Sequence, residues 1–325
     1  MPPDQRRPRF ARFLLPALLA PVSAAAFSLS LPVDCALGDT CYIQHYVDRQ
    51  NGPGLRDYAC GTTTYDDHDG TDFALPTRAA MAAGVTVRAA AAGHIRATRD
   101  GEPDGAHAEG ADVSQKECGN GIVIDHEDGW QTQYCHLRAG SITVKPGERV
   151  AAGAAIGLVG QSGLADFPHL HLSVRRNGQA VDPFRPGGDG CASSAPTNSL
   201  WQDLPAYSPG GLLQIGLAAA PPDYAAVKAG LPPVQNLSQP AALVLWAYGY
   251  ESQTADRIAF DIEGPEGFAF HHEAEIDKGQ PLFFRYAGKK APAGGLAPGT
   301  YRATVTYLRG GAALGALTTE IEITE

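Results

Sequence analysis

The sequence predicts an all-β chain built from two mostly antiparallel units. Short β-patterned runs recur along it, Gly, Pro or Asp separates them, and the runs beyond residue 240 are regularly spaced. A length of 325 residues, with 44% hydrophobic content, 38 Gly and 25 Pro, suits two or three domains. It excludes a disordered tail, a collagen or a polytopic membrane protein.

Taken in order, residues 1–26 read as a secretory signal. Arg6, Arg7, Arg9 and Arg12 precede an apolar run from Phe13 to Val22, which ends in the small residues Ser23 to Ala26. Residues 27–59 are Gly-rich and carry two cysteines, with a third at Cys60, and read as an irregular collar pinned by disulfides. The first β unit spans 60–191, with runs at Thr71 to Leu75, Val85 to Ala89, His94 to Thr98, Gly121 to Asp125, Gln131 to Leu137, Ile156 to Val159 and Leu170 to Arg175. Within it, Asp100 to Glu117 is an acidic, Gly-rich insertion without periodicity, expected as a mobile loop beside the sheet. Residues 192–233, rich in Ala, Pro, Gly and Ser, read as a linker. The second β unit, 234–325, has runs at Ala242 to Tyr248, Arg257 to Ile262, Phe268 to Ile276, Leu282 to Tyr286, Tyr301 to Leu308 and Thr318 to Ile323, the spacing of an immunoglobulin-like β-sandwich.

The formal net charge of -10 leaves no basic field for a phosphate backbone, so nucleic acid is not an expected partner. Removal of the signal makes the chain more acidic still. No segment after it approaches the roughly eighteen apolar residues of a membrane span, so the mature protein is expected to be exported, periplasmic or secreted. In that oxidising setting the six cysteines are expected to form up to three disulfides. Cys118 and Cys135 are the expected individual pair, because Gly121 to Asp125 and Trp130 to Leu137 read as two strands around the turn His126-Glu127-Asp128-Gly129.

The chemistry concentrates in the first β unit. His68 and Asp72 form an H-x-x-x-D at a loop entering a strand. His169 and His171 are two apart, so the strand period puts both imidazoles on one face and Leu170 and Leu172 in the core. His136 lies between, in Tyr134-Cys135-His136-Leu137. A catalytic zinc needs three His or carboxylate ligands and an open position. His68, Asp72 and His171 can supply them, leaving His136 and His169 to handle protons beside the metal.

With these residues the middle of the chain resembles the lysostaphin-type (LytM) zinc metallopeptidases, which cut peptide cross-links in bacterial peptidoglycan. The likeness covers about residues 60–186. It includes Gly119 to His126, Lys145-Pro146-Gly147-Glu148-Arg149-Val150, Gly157 to Gly163 and Asp182-Pro183. The resemblance implies one Zn2+ per chain on His68, Asp72 and His171, catalytic assistance from His136 and His169, and peptidoglycan stems or cross-links as substrate. The collar, the cysteines and the acidic insertion depart from shorter members. A non-catalytic cell-envelope regulator that activates an amidase is the alternative, though such proteins lose zinc ligands. The C-terminal unit is a candidate surface for glycan or a cell-envelope protein partner.

Other polar residues carry bland readings. His45, His94 and His107 have no ligand-spaced partner, His126 caps a turn or faces solvent, and His271-His272 sit on a solvated strand. Thr132 and Tyr134 are expected on the strand face of His136, with Tyr134 as an oxyanion donor or as groove lining.

Overall fold

The computed structural model describes residues 26–50, 52–187 and 190–325. The expected signal segment lies outside the described residues apart from Ala26. No described helix is long and apolar enough to cross a membrane.

The expected all-β class is what the chain adopts. Its main sheet has eight strands. Their order across the sheet is Tyr42–His45, Gly70–Ala74, His169–Arg176, Trp130–Leu137, Asn120–Asp125, Gly93–Arg99 and Arg149–Val150, with Gln179–Ala180 paired to His169–Arg176. Every pairing in it is antiparallel. Alternation along the strands sends Ile122 and Ile124, Thr132 and Tyr134, and Leu170, Leu172 and Val174 to one buried face. There they meet Val87 and Ile156 from the two-stranded ribbon Thr86–Arg88 and Ala155–Leu158.

The collar is more regular than its composition suggests. Tyr42–His45 is an edge strand of the main sheet, and Leu29, Val33, Ile43, Tyr46 and Tyr58 join the same core. Three disulfides tie this part of the chain: Cys35–Cys41, Cys60–Cys191 and the expected Cys118–Cys135. The acidic insertion is anchored at its base, where the Asp104 carboxylate accepts from the backbone N–H groups of Gln161 and Ala139.

Beyond the main sheet, three strands (Gly211–Ala218, Ala242–Ser252 and Gln280–Lys290) face five (Asn236–Ser238, Ala312–Thr324, Gly299–Arg309, Arg257–Glu263 and Ala269–Glu275). Leu243, Leu245 and Ala247 from one sheet meet Ile258, Phe260 and Ile262, and Tyr301, Ala303, Val305 and Tyr307, from the other. These two-residue spacings are the inward faces of a sandwich. Gly211–Ala218 falls where a linker was expected. The Ala, Pro, Gly and Ser around it mask the run, and at Gly216 the Trp246 indole crosses so closely that an added Cβ would lie 2.6 Å from the ring. Two six-residue helices, Arg78–Ala83 and Tyr224–Ala229, are too short for periodicity to reveal; Thr77 and Asp223 cap their first turns.

The sandwich docks on the exposed edge of the main sheet. Tyr42 and Ala74 pack with Tyr250, Leu213, Leu282 and Phe167, and Gln44 donates to the backbone carbonyl of Pro281. This covers an edge strand that would otherwise present unpaired backbone groups.

Candidate metal and catalytic site

Strand register assembles the site. Antiparallel pairing sets His45 opposite Asp72, Asp72 opposite His171, and His171 opposite Cys135. Directly paired residues share a face, so side chains from distant parts of the sequence converge. His68 reaches the same point from the turn before Gly70–Ala74, where Asp67 adopts a left-handed backbone (φ 63°).

Three donor atoms form a triangle. His68 Nε2 lies 3.1 Å from His171 Nδ1 and 3.2 Å from Asp72 Oδ1, and His171 Nδ1 lies 2.9 Å from Asp72 Oδ1. Tetrahedral zinc with bonds of about 2.0–2.1 Å spaces its donors about 3.3 Å apart, so this set fits a metal with small adjustments. His68, Asp72 and His171 are also the one group of this kind among the described residues.

Each donor is held from behind. His68 Nδ1 donates to the Tyr46 carbonyl at 2.7 Å, which leaves Nε2 as the lone-pair atom facing the triangle. His171 Nε2 is within reach of Ser173 Oγ at 2.9 Å and Asp69 Oδ1 at 3.2 Å, and Arg175 steadies Asp69 at 2.7 Å. His45 Nδ1 holds the second Asp72 oxygen at 3.0 Å. Such backing fixes ring orientation and ligand basicity.

The electrostatics favour a cation. Burial opposes ionisation of Asp72, but His68, His169, His171 and His45 outweigh it and hold the carboxyl well below its usual range. Burial likewise opposes charge on His171, yet Asp69 and Asp72 push its pKa up to about 9. The field that draws a proton there would draw a metal ion.

His136 and His169 stand beside the triangle with ring centroids 4.5 Å apart, and His136 is 6.0 Å from His171. His136 Nδ1 donates to the Ser162 carbonyl at 2.8 Å and His169 Nδ1 to that of Phe167 at 2.9 Å. Nε2 is therefore the basic atom of each. Burial lowers both pKa values, helped at His136 by repulsion from His169 and His171, so both rings are neutral near pH 7.

Two expectations are corrected. Tyr134 does not share the face of His136: it is fully buried in the core, and its hydroxyl accepts from the Ala90 backbone N–H at 2.8 Å. The pairing shifts register between Asn120 and Ile122, with an extra residue opposite them, and His136 has φ 62°. This bulge turns His136 away from the core, toward the site. His45, set aside for want of a ligand-spaced partner, touches Asp72. Its signal was the β-rich run Tyr42-Ile43-Gln44-His45-Tyr46-Val47, masked by the glycines and cysteines around it. Asp69, Ser173 and Arg175 also went unnoticed, although they lie one or two residues from motif positions or on the same strand face.

Residues 66–183 match the sequence profile of Peptidase family M23. This matched stretch is the M23-like region of the chain. Among curated relatives, the M23 region is 32% identical over 135 residues to the peptidoglycan DD-endopeptidase ShyA of Vibrio cholerae, covering 42% of this chain and 26% of that protein. It is 37% identical over 120 residues to the DD-carboxypeptidase/endopeptidase Mpg of Neisseria meningitidis, covering 37% of this chain and 23% of that one. The chain thus spans about a quarter of the length of these relatives. Among solved structures, the catalytic domain of lysostaphin from Staphylococcus simulans matches with 26% identity and a TM-score of 0.29, over 43% of this chain and 85% of that one.

A groove of ≈ 1220 Å³ runs past the M23 site. Its lining includes His45, Tyr65, Phe167 and His169 and, from the chain beyond the main sheet, Tyr224 and Gln280. Gly70 guards the packing at the rear, since a Cβ there would lie 2.5 Å from His171 Nε2. Gly70→Ala is expected to displace that ring from Ser173 and Asp69 and to weaken metal binding about ten- to a hundredfold. Chelator competition measures it, and unaltered affinity would contradict the assigned backing of His171.

Proposed function

We propose that the chain is an exported zinc metalloendopeptidase that hydrolyses peptide cross-links of peptidoglycan. One observation carries the reading: the His68, Asp72 and His171 donor triangle is flanked by two neutral imidazoles that carry their lone pairs on Nε2, that of His169 lying 3.8 Å from Asp72 Oδ1. His68, Asp72 and His171 would hold a zinc ion, which would supply Lewis acidity toward a scissile carbonyl and acidify a water.

The chain's own residues do the rest. His136 and His169, neutral at working pH, accept a proton at Nε2 from the attacking water and return it to the leaving amine. Backbone carbonyls of Ser162 and Phe167 fix their tautomers, so no rearrangement precedes transfer. Tyr65, whose ring stands 4.3 Å from that of His68, and Phe167, 4.8 Å from His169, flank the centre. The groove is of a size to hold several residues of a peptide.

The substrate class is supported by relatives named as DD-endopeptidases, and export by the signal-like segment and by three disulfides among the described residues. The test uses a purified cross-linked muropeptide dimer and the mature chain. Conversion to monomers is expected, abolished by chelation and restored by zinc; conversion that survives complete metal removal would overturn the metallopeptidase reading.

A further inference from the structure

Glu251 lies outside the M23 region, on the Ala242–Ser252 strand of the sandwich, yet it reaches the site. Its Oε1 is 3.3 Å from His45 Nε2 and accepts from Gln44 Nε2 at 2.6 Å. His45 Nδ1 in turn meets Asp72 Oδ2 at 3.0 Å. A carboxylate–imidazole–carboxylate chain therefore runs from the sandwich to a donor of the candidate metal centre. Side-chain exposure along it falls from 14% at Glu251 to 9% at His45 and 2% at Asp72.

Both carboxylates are acceptors, so His45 donates from each nitrogen and its ring is fixed at both ends. That occupies Oδ2 of Asp72 and leaves Oδ1 pointing at His68 Nε2 and His171 Nδ1. Glu251 is itself anchored. Its backbone is left-handed (φ 52°), and its carbonyl accepts from Tyr307 Oη at 3.0 Å and Arg309 Nη2 at 2.6 Å. Arg309 is locked to buried Asp256 at 2.8 Å. Burying a carboxylate costs free energy unless it is paired, and among the described residues the Glu251 side chain finds its partners only across the seam, in His45 and Gln44.

We infer that Glu251 is a positioning residue for the metal centre: acting through His45, it orients Asp72, so the sandwich completes the site as well as docking beside it. This rests on the zinc peptidase reading above. The metal-free mature chain is titrated with zinc(II) against a chromophoric chelator. Glu251→Ala and His45→Ala are each expected to weaken zinc binding about ten- to a hundredfold. The double variant should fall no further than the worse single one, because both act on one chain of contacts. Glu251→Gln should recover part of the loss, since its amide oxygen still accepts from His45. Leu213→Ala loosens the apolar seam without touching His45 and should leave zinc affinity unchanged.

Wild-type affinity in Glu251→Ala, additive losses in the double variant, or an equal loss in Leu213→Ala would each overturn the inference while leaving the peptidase reading intact. A wild-type chain that takes up no zinc would overturn both.

Discussion

His169→Ala is expected to lower kcat on a muropeptide dimer by about 10²- to 10⁴-fold, the usual worth of a positioned general base, while zinc content stays at the wild-type level. That range corresponds to about 2.7–5.5 kcal/mol of transition-state stabilisation. The ring is buried, its tautomer is set by the Phe167 carbonyl, and it lies outside the donor triangle, so its loss should spare the metal. His136→Asn is the matching variant, because asparagine tolerates the left-handed backbone at that position and keeps the bulge. The double variant should cost less than the product of the two, since both residues serve one proton transfer. Steady-state kinetics with metal analysis on the same samples checks this. A drop in activity that tracks zinc loss would instead make His169 a structural support.

Opening the Cys60–Cys191 disulfide is expected to produce the largest loss of stability. The two cysteines are 131 residues apart and enclose the whole M23-like region. Chain-entropy arithmetic gives about 5 kcal/mol for a loop of that length and about 2 kcal/mol for one as short as Cys35–Cys41. Against a typical total of about 5–15 kcal/mol, the first is a large share. Urea denaturation of Cys60→Ser/Cys191→Ser and Cys35→Ser/Cys41→Ser, with the M23 transition followed separately from that of the sandwich, should show the larger midpoint shift in the former. Equal shifts would mean that native packing around residues 27–60 dominates over loop closure.

Much of the fold was legible because the relevant information is local. The seven runs expected in the first β unit each correspond to a strand displaced by about one residue at its ends, since alternation and flanking glycines are read directly from the sequence. The His68, Asp72 and His171 grouping was legible through the ligand chemistry of the H-x-x-x-D and H-x-H motifs and the family resemblance they carry, since the strand period alone links only His169 with His171. What escaped depended on partners far away in sequence. Gly211–Ala218 was read as part of a linker by composition, and it is a strand because it pairs with Ala242–Ser252, where Trp246 lies across Gly216. His136 was assigned the face of Tyr134 because a bulge has no periodic signature; the shifted register and its φ of 62° reveal the turn. His45 looked isolated because its partner, Asp72, is reached through an edge strand hidden among cysteines, and Glu251 because it comes from the sandwich.

The most direct test of the central claim, that the His68, Asp72 and His171 triangle holds the metal that cleaves peptidoglycan, is a paired measurement on isolated sacculi. Released muropeptides and bound zinc are quantified for the wild-type chain and for His171→Ala in the same preparations. The account predicts one zinc per wild-type chain with loss of cross-linked dimers, and neither in the variant. Undiminished dimer loss in His171→Ala, or a wild-type chain that carries its zinc and cuts nothing, would contradict it.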